Sequence, residues 1–365
     1  MEQRIRHQID RLIDCLNEDV AAVTEPSAIV DLTIPLKFTI SSIIAQITLG
    51  REYVPDDAEY IKLEQALSEQ FSVFSKPTVF LLMVAPWFRH VPLFDHFGYG
   101  SIKRSTDALL AYFRSEIKRI KDQYVPGSEP SNIVEAYLAE IHERGNNPSE
   151  RGSSVFNDDQ LLGVIGDLWA AGMETTANTC LWAFLYMINF REVQEKVYEE
   201  IIRVCGTARR PEMNDAKNMP YTTATLNEVQ RMSSIIPNAV SHATIEDTTL
   251  AGYEIPAHTG VMYNTMLLSY DPKIFPDPEK FSPERHLEND GQSVRKFETL
   301  IPFGMGKRVC LGESMARSEL FLIFTALIQR FRLDKEPGKP MPTLRFRMSG
   351  TVSTHPYKVA ICPRY

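Results

Sequence analysis

The run Phe303-Gly304-Met305-Gly306-Lys307-Arg308-Val309-Cys310-Leu311-Gly312 has the residue types and spacing that most suggest chemistry in this 365-residue chain. Gly304 and Gly306 flank Met305 and permit a tight turn with its amides pointing inward. Cys310 falls where the next helix is expected to begin, so the helix dipole and its unpaired amides favour an anionic sulfur there. A thiolate set in an apolar pocket, with Phe303 as its lid, suits a soft metal ligand. A buried structural cysteine is the alternative, and it stays open on spacing alone. Phosphate binding does not: four residues do not separate a glycine from Gly306-Lys307, and no Ser or Thr follows the lysine. Nor is the loop a dinucleotide fingerprint, because Val309 takes the place of its third glycine.

Two further constellations stand out. In Ala171-Gly172-Met173-Glu174-Thr175-Thr176, a glycine inside a helical pattern costs about 1 kcal/mol relative to alanine and so needs a reason. Close approach of a flat ligand is one reason, and helix packing is the competing one. Thr175 can hydrogen-bond back to the Ala171 carbonyl and open the helix locally. Glu228 and Arg231 sit at i and i+3, which places opposite charges on one helix face. As an isolated surface pair they would contribute only about a few tenths of a kcal/mol.

The elements that must position these groups are mostly helical. Ile5, Ile9, Leu12, Ile13 and Leu16 give residues 1–21 a helical stripe, and Leu109, Leu110, Phe113, Ile117 and Ile120 do the same for 101–124. After the capping chemistry of Asn157-Asp158-Asp159, a helix is expected to run to about residue 189, roughly 45 Å. It is apolar on most sides and should therefore lie at the centre. Further helices are expected at 193–204, 224–234 and 311–331, and short strands at 241–245, 252–255 and 261–265. A proline-rich irregular stretch covers 271–284, and a β-type tail ends the chain. The expectation is one mostly helical domain, 1–365, with a minor β-sheet.

Composition bounds the function. Hydrophobic residues make up 44% and charged residues 24%, an ordinary globular mixture. A net charge of -8 argues against a nucleic-acid partner, since no overall basic excess exists to neutralise phosphates. The five cysteines (Cys15, Cys180, Cys205, Cys310 and Cys362) are odd in number and scattered, which points to a reducing compartment. Neither CxxC nor HExxH occurs, so a zinc site is not expected. The first residues, Met1-Glu2-Gln3-Arg4, are charged, and the most apolar run, 79–88, is shorter than a membrane span and contains Pro86.

Taken together, these motifs resemble the cytochrome P-450 family. The cysteine loop matches its haem loop, F-x-x-G-x-R-x-C-x-G, at every fixed position, and residues 171–176 are similar to its A-G-x-[DE]-T-[TS] helix element. Glu228 and Arg231 resemble its E-x-x-R pair. The resemblance implies the cytochrome P-450 fold and a haem b whose iron is held by Cys310. Arg308 and His242 would meet haem propionates, Phe303 would shield the sulfur, and Gly304 would shape the loop. Ala171 and Gly172 would pass close to the haem. Thr175 would position a proton-delivering water, Glu174 would belong to the acid relay, and the threonine favours a monooxygenase over lyase or isomerase relatives. Arg285, from Phe281-Ser282-Pro283-Glu284-Arg285, would join Glu228 and Arg231 in a buried network. His286 stands where the family usually has an aromatic residue, a departure that touches local packing. Phe71, Phe74, Val164, Leu168, Ile235, Ile236, Val240 and Thr351 would line the substrate pocket.

The phrases NEVQR, SHATIED and GYEIPAHT are most similar to the animal microsomal, drug- and lipid-oxidising branch. That branch implies a small lipophilic substrate (xenobiotic, fatty acid or steroid-like), O2, and electrons from NADPH through a flavoprotein NADPH–cytochrome reductase, with cytochrome b5 as an accessory donor. It also implies the cytosolic face of the endoplasmic reticulum membrane. The family normally has more in front: an anchor, the first helices, part of the main sheet and a lid over the substrate. The expectation is therefore a truncated form, with the strand at 261–265 left as an unpaired edge and one side of the haem open to water. Haem binding without turnover is the alternative function, and a haem-free helical scaffold is the third.

Overall fold

The computed structural model describes residues 1–55, 57–74, 81, 82, 85, 87, 90, 99–146, 155–348 and 350–365. The described residues are mostly helical, and their short strands all pair antiparallel. They group into two compact units. The first holds Met1–Cys15, Leu32–Ala177 and Met348–Gly350; the second holds Leu16–Asp31, Asn178–Arg347 and Thr351–Tyr365.

The first unit is built on the first part of α1 (Glu2–Ala21), α2 (Thr33–Thr48), α3 (Ala58–Phe74), α4 (Tyr99–Gln123), α5 (Ile133–Asn146) and the first part of α6 (Asp158–Asn189). Ile5, Ile9, Leu12 and Ile13 of α1 are all buried, as their spacing requires. Trp169 of α6 is fully buried at the centre, with its ring centroid 5.6 Å from Phe113 and 6.2 Å from Tyr53. Its indole Nε1 donates to Thr48 Oγ1 at 3.0 Å, and that hydroxyl donates in turn to the Ile44 carbonyl at 2.6 Å. The polar atom of a large apolar anchor is thereby satisfied inside the core.

Helices α2, α3 and α5 are additions to the sequence expectation. α2 is rich in Ile and Thr, residues that favour strands, and it is buried on so many sides that no polar face marks its period. Pro35 sits in its first turn, where a missing N–H breaks no helical hydrogen bond.

The second unit packs α7 (Arg191–Cys205), α8 (Pro220–Ser233) and α10 (Glu313–Arg330) around the later part of α6. Phe184 stacks on Phe324 at 6.1 Å, and Tyr186 stacks on Phe281 at 4.6 Å. Beside these helices lies a three-stranded sheet, β1 (Ala28–Val30), β9 (Val359–Pro363) and β6 (Phe331–Lys335), in the order β1-β9-β6. Ile361 pairs with Ala28 on one side and Leu333 on the other. Buried Gln194 ties α7 to the sheet, donating to the Leu333 carbonyl at 2.9 Å and accepting from its amide at 2.8 Å.

Three two-stranded pieces complete the strands: β2 (His242–Ala243) with β5 (Gly260–Val261), β3 (Thr248–Leu250) with β4 (Tyr253–Ile255), and β7 (Phe346–Met348) with β8 (Val352–Thr354). The expected strand at 261–265 is thus corrected. It is only β5, and it is paired, His242 opposite Val261. Asn264 then caps the short helix α9 (Thr265–Ser269), its side chain accepting from the Leu267 amide at 2.8 Å. An asparagine cap so soon after a strand ends the extended run, which alternation alone could not show.

Candidate functional site

The cysteine loop lies in the second unit. It closes on itself, with the Cys310 amide donating to the Phe303 carbonyl at 2.9 Å and the Gly304 amide to the Ile301 carbonyl at 3.0 Å. Gly304 and Gly306 take φ of +79° and +73°, left-handed values that side chains disfavour. At Gly304 a Cβ would also lie 2.8 Å from the Tyr263 hydroxyl. Tyr263 follows β5, the partner of His242 in β2, so the β2–β5 pair is held beside the loop. His242 itself is half-buried.

Cys310 and Arg308 are exposed. One expectation for this loop changes: the sulfur does not sit at the start of the helix, because α10 begins at Glu313, two residues beyond Leu311, with Gly312 at its cap. The Phe303 ring, expected as the lid, is itself covered by the Arg317 guanidinium, 4.8 Å from its centroid. Met305, Val309 and Leu311 around the sulfur are exposed too, Leu311 to 89%. An apolar rim of this kind marks a surface built to be covered. Among the described residues no three His, Cys, Asp or Glu groups cluster to hold a metal ion. A lone thiol can hold a metal whose remaining coordination comes with it, as haem iron's does. The donor set therefore fits haem: Cys310 for the iron, and Arg308 and His242 as cationic or donor groups for its carboxylates.

In the first unit, Thr175 Oγ1 donates to the Ala171 carbonyl at 2.6 Å. Val164, Leu168, Ala171 and Thr175 follow one another at helical spacing, and none is fully buried. Gly172 has a packing reason: a Cβ there would lie 2.9 Å from Ile44 Cδ1 of α2. Close passage of a flat ligand is not needed to explain it. Glu174 Oε2 lies 3.3 Å from Lys37 Nζ, an ion pair that sequence spacing could not show because the lysine is on α2.

Glu228, Arg231 and Arg285 do meet, and they meet a fourth group. Glu228 and Arg231 are fully buried. Arg231 donates to both carboxylate oxygens, from Nε at 2.7 Å and Nη2 at 3.0 Å, and Arg285 Nε donates at 3.1 Å. The Ser282 amide adds a bond at 2.9 Å. His286 is also fully buried, its Nε2 2.8 Å from Glu228 Oε2. The substitution of histidine for the usual aromatic is therefore more than local packing: it adds a donor to the carboxylate. Five further guanidinium hydrogens go to the carbonyls of Ser269, Pro278, Pro276, Asp277 and Lys280. Burial pulls the Glu228 carboxyl upward, but the hydrogen bonds from His286 and Arg231 outweigh it and hold the group at about 2. Burial keeps His286 below its ordinary value in spite of Glu228. Its Nδ1 is buried with no hydrogen-bond partner, as a neutral ring donating from Nε2 would leave it. The available signal was a titratable residue adjacent to Arg285.

The other pocket residues divide. Phe71 on α3 is half-buried, and the Phe74 side chain lies outside the described residues. The Val352 amide donates to the Ile235 carbonyl at 2.8 Å, which brings Ile236 beside the 351–352 turn. Thr351 is buried, however, its hydroxyl accepting from Asn178 Nδ2 at 2.8 Å, while Val240 is 74% exposed. A polar cleft of about 420 Å³ near Arg4, His7 and Glu52 contains none of these residues.

A thiol loop of this form and an E-x-x-R network in the same unit define a haem-thiolate class of protein. The family model for cytochrome P450 matches residues 1–363, so the chain belongs to the cytochrome P450 family. It is 38% identical over 325 residues to Cytochrome P450 2U1 of Mus musculus, covering 89% of this chain and 60% of that protein. It is 36% identical over 325 residues to Cytochrome P450 2D6 of Homo sapiens, covering 89% and 64%. It is 33% identical over 348 residues to a 3-ketosteroid oxygenase of Caenorhabditis elegans, covering 95% and 58%. The chain thus spans about three-fifths of the length of the curated relatives it matches. Among the described residues no helix is long and apolar enough to cross a membrane.

Proposed function

We propose that the chain is a single haem-thiolate domain that inserts one oxygen atom of O2 into a small lipophilic substrate. The observation that carries this reading is the closed Cys310 loop, with its sulfur exposed amid apolar side chains. When bound, a thiolate-held haem supplies reductive O2 activation, one oxygen atom going to substrate and the other to water with two electrons and two protons. Cys310 holds the group. Arg308 and His242 donate to its carboxylates, and Ala171 lies one turn before Thr175 on the same face of α6. Glu174 and Thr175 hold and pass protons. Glu228, Arg231 and Arg285 fix the segment between α8 and the loop.

The resemblance gives Phe71, Val164, Leu168, Ile236, Val240 and Thr351 as substrate-facing residues, and the likeness to the nematode 3-ketosteroid oxygenase supports a steroid-like substrate. Electrons come from NADPH through a flavoprotein NADPH–cytochrome reductase, with cytochrome b5 as accessory donor, at the cytosolic face of the endoplasmic reticulum. The second reading is haem binding without turnover.

The test is the carbon monoxide difference spectrum of the dithionite-reduced chain. A red-shifted thiolate Soret band that disappears in Cys310→Ala is the expected result. No haem uptake, or a spectrum of the neutral-ligand type, sinks both readings. Thiolate haem without product formation in the presence of reductase leaves only the second.

A further inference from the structure

We propose that Lys37 is the positioning residue for Glu174, a role that rests on the proton-handling function given to Glu174 above. Within the first unit, Lys37 and Ile44 are seven residues apart and so share a face of α2. Ile44 packs where a side chain on Gly172 would be, and the close approach of α2 to α6 that this glycine allows brings Lys37 Nζ to 3.3 Å from Glu174 Oε2. The side chains of that pair are 16% and 15% exposed, so solvent screens them little. Glu174 Oε2 is itself buried without a hydrogen-bond partner, which leaves the lysine charge as what aims it.

Lys37 is held in turn by α3. It donates to Ser68 Oγ at 3.1 Å and lies 3.6 Å from Glu64 Oε1, while Ser68 donates to Glu64 at 2.5 Å. Two carboxylates from different helices thus share one ammonium group. The position of Glu174 is set by α2 and α3, not by α6 alone.

The test combines a double-mutant cycle with a measurement of electron coupling. In the chain itself, Lys37→Met lowers Tm by about 1–2 °C, the size of one partly buried ion pair in a protein of this length. Lys37→Arg does not, and Lys37→Met costs clearly less in a Glu174→Gln background, where only its contacts to Glu64 and Ser68 remain to be lost. In the haem-loaded chain with reductase and NADPH, Lys37→Met raises the share of electrons lost as hydrogen peroxide several-fold and enlarges the solvent deuterium effect on oxygen consumption. Lys37→Arg keeps both at the starting level. An unchanged Tm loss in the Glu174→Gln background, or unchanged peroxide release, overturns the proposal. If the unaltered chain consumes no oxygen, the monooxygenase reading fails by itself, and the Tm cycle still decides whether Lys37 holds Glu174.

Discussion

Replacing His286 by phenylalanine should leave stability at pH 7.5 almost unchanged and remove part of its fall in acid. The substitution deletes the Nε2 bond to Glu228 at 2.8 Å, a bond to a charged acceptor of about 1.5–3 kcal/mol. It also deletes the buried, unpartnered Nδ1, whose desolvation costs about 1–3 kcal/mol. A phenyl ring would keep the contacts to Phe275 and Phe297, now 6.2 and 5.3 Å away. These opposing effects cancel to within about 1 kcal/mol, and Glu228 keeps both arginines and the Ser282 amide.

The pH dependence does not cancel. In the unfolded chain a histidine takes up a proton near pH 6.5, whereas burial holds the folded group lower. Stability from the neutral ring is therefore fully present above pH 6.5 and is lost as pH falls toward the folded value. At pH 5.5 the loss is at most about 1.4 kcal/mol, or about 2 °C in Tm for 365 residues. Calorimetry of both proteins at pH 7.5 and 5.5 checks this, since other groups titrate alike in both. The acid drop in His286→Phe should be smaller by up to that amount. Parallel drops would refute a neutral, buried His286 donating to Glu228.

Arg231→Met should cost about 3–5 kcal/mol, because it strips two bonds from a fully buried carboxylate, and chemical denaturation will read it as a lowered midpoint. Gly172→Ala should destabilise by about 1 kcal/mol, overpacking against Ile44 exceeding the gain in helix propensity. Adding Ile44→Val removes the Cδ1 atom and should return most of that loss, which thermal melts of the three variants will show. Asn178→Ala should lower stability by about 1–3 kcal/mol, since its amide donates to both Thr351 Oγ1 and the Val352 carbonyl, and the same melts test it.

Much of the helical frame was legible in the sequence because its signals are local. α6 was expected from the Asn157 cap, whose Oδ1 does accept from the Gln160 amide at 2.9 Å, and from an apolar pattern that holds to Asn189. Gly304 and Gly306 were read as turn residues, and both take positive φ. What escaped was set by distant partners. Gly172 answers to Ile44 on another helix, and Glu174 to Lys37 on the same one. His286 became a network member only because α8 presents Glu228 to it.

The place of β9 in the middle of its sheet has a consequence for biosynthesis. Ala28 of β1 pairs with Ile361, its partner 333 residues later in the chain. At about 5–20 residues per second, β1 leaves the ribosome roughly 17 s to a minute before β9 exists to receive its hydrogen bonds. Throughout that interval its backbone donors and acceptors are free, and contacts of such separation are among the slowest to form. The pairing of Ala28–Val30 is thus among the last contacts of this unit that the order of synthesis allows.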